Sequence, residues 1–217
     1  MHIDKHLKDT SELKRVQEIL NKELGESIIE TTMAFRELTV LARKKDIIRV
    51  LRFLRNDRRL LFKSLIDITA VDWLGKDDEN RFRVVYHLLS LHKNLRIRVK
   101  VKTGEKDAVP SICDLFAASN WFEREVYDMF GIHFEGHPDL RRILTDYTFE
   151  GFPLRKDFPL NGNVEVYYDS DEKRVKYKPV DLPQELRRFD KVSPWGGVNE
   201  NAHLAEKPNL FDEEDFK

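Results

Sequence analysis

The residues with the most chemistry per unit length lie in Asn120–Leu144, "NWFEREVYDMFGIHFEGHPDLRRIL". Carboxylates Glu123, Glu125 and Asp128, histidines His133 and His137, and guanidinium groups Arg124, Arg141 and Arg142 share that stretch. Three chemistries could use them: acid–base catalysis, metal ligation, or a network of ion pairs. Glu123 and Glu125 are too close in sequence to face each other on a helix, which makes a poor acid–base pair. His133 and His137 have i,i+4 spacing, but Gly136 and Pro138 argue against a helix there, and "HFEGH" is not the HExxH pattern of helical zinc sites. Buried carboxylates persist only when paired, and arginine is the cation that pairs with them bidentately. Residue types and spacing therefore favour an internal or interfacial ion-pair network, with Arg124 and Asp128 placed to pair at i,i+4.

Other chemistries find little support. The stretch "FEGFPLRKDFPL" has too little glycine to cradle phosphate, and no serine sits in a nucleophile elbow. A single cysteine, Cys113, allows no internal disulfide and no four-thiolate cluster or zinc site within the chain, and points to a reducing compartment. Lys and Arg (38) balance Asp and Glu (39), so no whole-molecule field draws the chain to nucleic acid or anionic lipid. Apolar runs such as "VVYHLLSL" fall far short of the roughly 20 residues of a membrane-spanning helix. The N-terminal "MHIDKHLKDTSELK" resembles neither a signal nor a transit peptide. Any membrane association is expected to run through partners.

The motif needs elements to position it. Asn120 is expected to cap a helix with Glu123 as its N3 partner, Gly131 to stop it, and Phe122, Val126, Met129 and Phe130 to form its apolar stripe. Upstream, Leu13, Val16, Leu20 and Leu24 predict a first helix between Ser11 and Gly25. Residues 27–42 read as two strands with a break near Arg36-Glu37, and Ile47, Val50, Leu51 and Leu54 as the inner stripe of a helix over Asp46–Asn56. "LFKSLIDITAVDWL" reads as a strand. "RFRVVYHLLSL" and "NLRIRVKVK" form a hairpin turning across His92–Asn94. Pro110 suits the first position of a further helix with Ile112, Leu115 and Phe116 inside. This order predicts an α+β fold, a small antiparallel or mixed sheet packed with helices. The alternating Arg96, Arg98, Lys100 and Lys102, with Tyr86 or His87 for stacking, leave a nucleic-acid-binding module as a rival reading.

Beyond Ile132 proline or glycine recurs about every ten residues, which excludes long regular elements, yet aromatic residues persist through Trp195. The expected organisation is a head over residues 1–131 and an extended, mostly irregular C-terminal arm over 132–217 that wraps a partner. Ordering such an arm costs about 1–2 kcal/mol per residue, so it requires a large permanent interface.

The runs E-R-E-x-x-D-M-F-G-I (Glu123–Ile132), G-H-P-D-L-R-R-I-L (Gly136–Leu144) and "DYTFEGFPLRKDFPL" (Asp146–Leu160) resemble the signature of the 30 kDa (C) subunits of proton-pumping NADH:quinone oxidoreductase, respiratory complex I. "DITAVDW", "YDSDEKRVKYKP" and "LRRFDKVSPWGG" extend the resemblance over about residues 12–197. One departure is Phe152, where the family pattern more often has histidine; that position is then no obligatory ligand. The resemblance implies a non-catalytic scaffold in the peripheral arm, contacting the large quinone-module subunit and the small cluster-bearing one. NADH, FMN, iron–sulfur clusters and quinone would be bound by those partners, and no cofactor or nucleic acid by this chain. It further implies a place on an energy-transducing membrane without insertion, on the cytoplasmic side of a bacterial inner membrane or the matrix side of a mitochondrial one. Glu123, Arg124, Glu125, Asp128, His137, Arg141, Arg142, Arg155 and Asp157 would then be architectural, and Phe158, Leu160 and Trp195 docking anchors. An equivalent subunit of a membrane-bound hydrogenase or related dehydrogenase is the alternative.

Overall fold

The computed structural model describes residues 10–77 and 79–184. These fall into two compact units, Met1–Pro159 and Leu160–Lys217. Trp195 lies outside the described residues.

In the first unit, helix α1 (Thr10–Leu24) buries Leu13, Val16, Leu20 and Leu24, the stripe its spacing predicts. Ser11 lies inside this helix, and Gly25 begins a 3-10 turn through Ser27. Strands β1 (Ile28–Ala34) and β2 (Glu37–Ala42) form a hairpin whose turn residues Phe35 and Arg36 both have positive φ, 51° and 62°. Such a turn matches the twist of the flanking strands but normally recruits asparagine or glycine. Helix α2 (Ile47–Asn56) then carries the chain to β3 (Ser64–Asp72), β4 (Phe82–Ser90) and β5 (Leu95–Thr103), an antiparallel meander. The sheet order is β1-β2-β5-β4-β3, and β2 runs parallel to β5, so the sheet is mixed. Its core face carries Leu38, Val40, Ile97, Val99, Val101, Val84, Tyr86, Leu88, Ile68 and Ala70. At about 25 cal/mol per Å² of apolar surface, burying this face against the helices is the main drive for the fold.

The helix expected from Pro110 does not form. Val109–Pro110 is a short strand, β6, paired in parallel with β7 (Phe134–Glu135), and residues 113–115 make only a turn. Proline has no N–H to offer, but β6 needs only the donors on either side of it: Val109 donates to His133 and Ser111 to Glu135. Ile112 and Phe116 are buried as expected, from a turn and not a helix face.

Helix α3 (Ser119–Phe130) packs against β3. It ends at Gly131 in the left-handed conformation, φ 74°, as its sequence requires. Its start differs from expectation: Asn120 is not the cap, and Glu123 turns inward instead of back toward the helix end. The head does not stop at 131. Residues 132–159 cluster with the first unit, because side chains of α3 and the sheet hold them there.

Among the described residues, the second unit contains one hairpin, β8 (Val164–Asp169) with β9 (Arg174–Pro179).

Candidate functional site

Asp128 is the centre of the site. It projects from α3 and is fully buried. One carboxylate oxygen accepts the backbone N–H groups of Ile143 (3.0 Å), Leu144 (2.7 Å) and Thr145 (2.8 Å), three successive donors that form an anion nest. The other oxygen accepts Arg142 Nη1 at 2.9 Å and the Thr145 hydroxyl. Burial alone would push this carboxyl up, but the Thr145 hydroxyl and the three N–H groups outweigh it and bring the pKa down to about 2.

Arg124 does not pair with Asp128 as its spacing allows. Its guanidinium donates to the carbonyls of Arg141 and Arg142, each at 3.0 Å, so helix and loop exchange hydrogen bonds in both directions. Arg142 also donates to Thr145 and to the carbonyl of Gly151, and lies 5.7 Å and 5.5 Å from the ring centroids of Phe149 and Phe152. Arg141 differs from Arg142: its side chain is exposed and pairs with Asp139. Glu125 is exposed.

A second clamp joins the sheet to the "LRKDFP" segment. Arg81 grips Asp72 bidentately, at 2.9 and 2.7 Å, and reaches Asp157 at 2.8 Å. Asp72 also accepts the backbone N–H of Lys156 at 2.9 Å. Burial raises the Asp72 pKa, yet Arg81 and the N–H groups of Lys156 and Leu74 together hold it below the ordinary value. Arg155 donates to the carbonyl of Phe130 and to Glu105, with its guanidinium 4.5 Å from the Phe152 ring centroid. Phe152 therefore contacts two arginines, a place for a neutral π-face that needs no ligand nitrogen. Phe158 stacks on Phe149 at 5.8 Å within the same unit, whereas Leu160 is exposed.

Sequence reasoning overlooked Asp72 and Arg81. The signal was there, since Asp72 continues the inward phase of Ile68 and Ala70 along β3, and an acid on a core phase demands a partner.

A third group gathers Cys113, Glu123 and His137, whose ligand-type atoms lie within 4.8 Å of one another. Glu123 is fully buried and accepts Ser111 Oγ at 2.6 Å and the Ile112 N–H at 2.8 Å. Its pKa is raised by burial, against the pull of Ser111, Ile112 and His137. The His137 Nδ1 accepts the Asp139 N–H at 3.0 Å, so the proton sits on Nε2, which faces the Asn120 carbonyl at 3.1 Å. With both ring nitrogens committed and the Cys113 thiol pushed up by burial, the group reads as a hydrogen-bonded plug between β6, α3 and the loop after β7. Metal ligation would require breaking these bonds. His133, the other member of the sequence pair, is exposed.

The basic strand face is partly neutralised, Arg98 by Glu37 and Lys102 by Asp77. Of the two residues expected to stack on bases, Tyr86 is fully buried in the core, which leaves only the half-buried His87 to the rival nucleic-acid reading.

Residues 40–164 match the model of the respiratory-chain NADH dehydrogenase 30 Kd subunit. The chain is 55% identical over 190 residues to the C-type subunit of the NADH-quinone oxidoreductase of Methylobacterium sp. (strain 4-46), covering 88% of this chain and 87% of that one. It is 59% identical over 175 residues to the corresponding subunit of Parvibaculum lavamentivorans, covering 81% and 86%. Among solved structures it resembles a chain of the membrane-bound sulfane sulfur reductase, an archaeal respiratory membrane complex, with TM-score 0.57 and 29% identity over 68% of this chain and 85% of that one. The clamped motif, the mixed sheet and these likenesses agree, and the chain belongs to the family of the 30 Kd subunit of the respiratory-chain NADH dehydrogenase.

Proposed function

We propose that this chain is a non-catalytic scaffold subunit in the peripheral arm of proton-pumping NADH:quinone oxidoreductase, and that it holds the quinone-reducing module in place. The observation that carries the reading is the saturation of the motif: Asp128, Arg124 and Arg142 spend their hydrogen bonds inside the chain. A catalytic group needs a free lone pair or proton facing a substrate. These residues instead fix the path of the chain from α3 to Pro159.

In this reading NADH, FMN, iron–sulfur clusters and quinone sit in neighbouring subunits, among them the large quinone-module subunit and the small cluster-bearing one. Among the described residues no helix is long and apolar enough to cross a membrane. The subunit is therefore held at an energy-transducing membrane by its partners, on the bacterial cytoplasmic side or the mitochondrial matrix side. The likeness to the sulfane sulfur reductase chain favours a second reading, an equivalent place in a related membrane-bound complex. The 55% and 59% identities to quinone-oxidoreductase subunits support the first. Mass spectrometry of what co-purifies with the chain in mild detergent tests this. A flavin- and NADH-binding subunit among the partners is expected, and a hydrogenase or sulfur-reductase set without one would decide for the second.

A further inference from the structure

The hairpin of the second unit has two chemically opposite faces. Directly opposed residues in an antiparallel pair share a face, and alternate residues along a strand do too. Val164, Val166 and Tyr168 on β8 stand opposite Pro179, Tyr177 and Val175 on β9, so one face is wholly apolar. Each of these five valines and tyrosines is 48–62% exposed. The other face pairs Glu165 with Lys178 and places Asp169 within 2.6 Å of Lys176. It is satisfied within itself.

An isolated two-stranded hairpin is marginal in water, because it has no layer on which to bury a face. We infer that the Val164/Val166/Tyr168–Val175/Tyr177/Pro179 face is covered by an uncharged, apolar surface of a neighbouring protein subunit, and that this contact stabilises the hairpin. The inference rests on the subunit reading above, and adds to it which face docks and what chemistry receives it. Charge decides against a lipid surface. Glu165, Asp169, Asp171 and Glu172 match Lys173, Arg174, Lys176 and Lys178 one for one, which leaves no net positive charge to hold the ribbon on anionic lipid. Area decides against a second copy. Six side chains offer on the order of a few hundred Å², below the about 800 Å² per partner of a stable complex. Within a multi-subunit assembly the same face needs only to be one part of a larger interface, and its tyrosines suit that setting.

The test uses the full-length chain, free and in the purified oxidoreductase, with hydrogen exchange read over residues 164–179. Protection of the hairpin amides is expected to rise at least tenfold on assembly. The pair Val166→Asp with Tyr177→Ser is expected to lower the incorporated chain several-fold, while Glu165→Ser with Lys178→Ser on the opposite face stays within twofold. Unchanged exchange together with normal incorporation of the apolar-face variant would overturn the docking inference and leave the subunit reading intact. Failure of the wild-type chain to co-purify with the oxidoreductase would overturn both. Two further results would overturn the inference in favour of another occupant: flotation of the free chain with vesicles of phosphatidylcholine and phosphatidylglycerol, or a concentration-dependent dimer, if either is abolished by Val166→Asp.

Discussion

Asp128 shows how much a single buried charge can organise. An ionised carboxylate removed from water is tolerable only if its lone pairs are filled, and here a guanidinium, a hydroxyl and three N–H groups fill them. Its pKa is about 2 in the folded chain against an ordinary 3.8, so the ionised form is the one the fold favours. The resulting stabilisation, about 2 kcal/mol, is fully present above the unfolded value and is lost as pH falls through the folded one. Asp128→Asn turns an N–H₂ toward donors or leaves the nest without an anion, and should cost about 3 kcal/mol at pH 7. Urea titrations from pH 7 to pH 2 check both statements. The gap between wild type and variant should narrow by about 2 kcal/mol at the acid end. A gap independent of pH would show that the carboxylate's charge is not what matters.

At the scale of elements, the periodic signals were legible and the polar ones were not. The stripes of α1 and α2, the alternation of β5 and the stop at Gly131 all follow from local pattern, because burial of one face is a short-range constraint. Polar partners were assigned at short range and lie far away: Arg81 reaches across 76 residues to Asp157, and Lys156 across 84 to Asp72. Spacing rules see an Arg124–Asp128 pair and an Asn120 cap; the fold uses Arg124 on loop carbonyls and Glu123 on the segment just after β6. The same long-range ties explain why the head extends to Pro159 instead of ending at 131. Gly131 tests this junction. A Cβ there would come within 2.6 Å of both Arg155 Nη2 and the Phe152 ring, and the backbone is left-handed besides. Gly131→Ala should therefore cost more than the roughly 1 kcal/mol expected from a left-handed residue alone, about 2–3 kcal/mol in chemical unfolding. A loss below about 1 kcal/mol would mean that the Arg155–Phe152 layer yields easily.

On the scale of the whole molecule, the first unit is tied together by carboxylate–guanidinium clamps, and the described part of the second unit is a hairpin with an exposed apolar face. The first property fixes the path of the chain from α3 to Pro159; the second supplies the surface proposed above to dock on a neighbour. That combination suits a part whose work is to hold others. The most direct measurement purifies the oxidoreductase from cells carrying Arg142→Lys, which keeps the charge but loses the fork that binds Asp128, Thr145 and Gly151 together. The amount of intact complex per cell should fall several-fold, while flavin, iron and NADH:quinone turnover per complex stay within twofold of wild type. A complex assembled in full amount but depleted in turnover or in iron would contradict a scaffolding role.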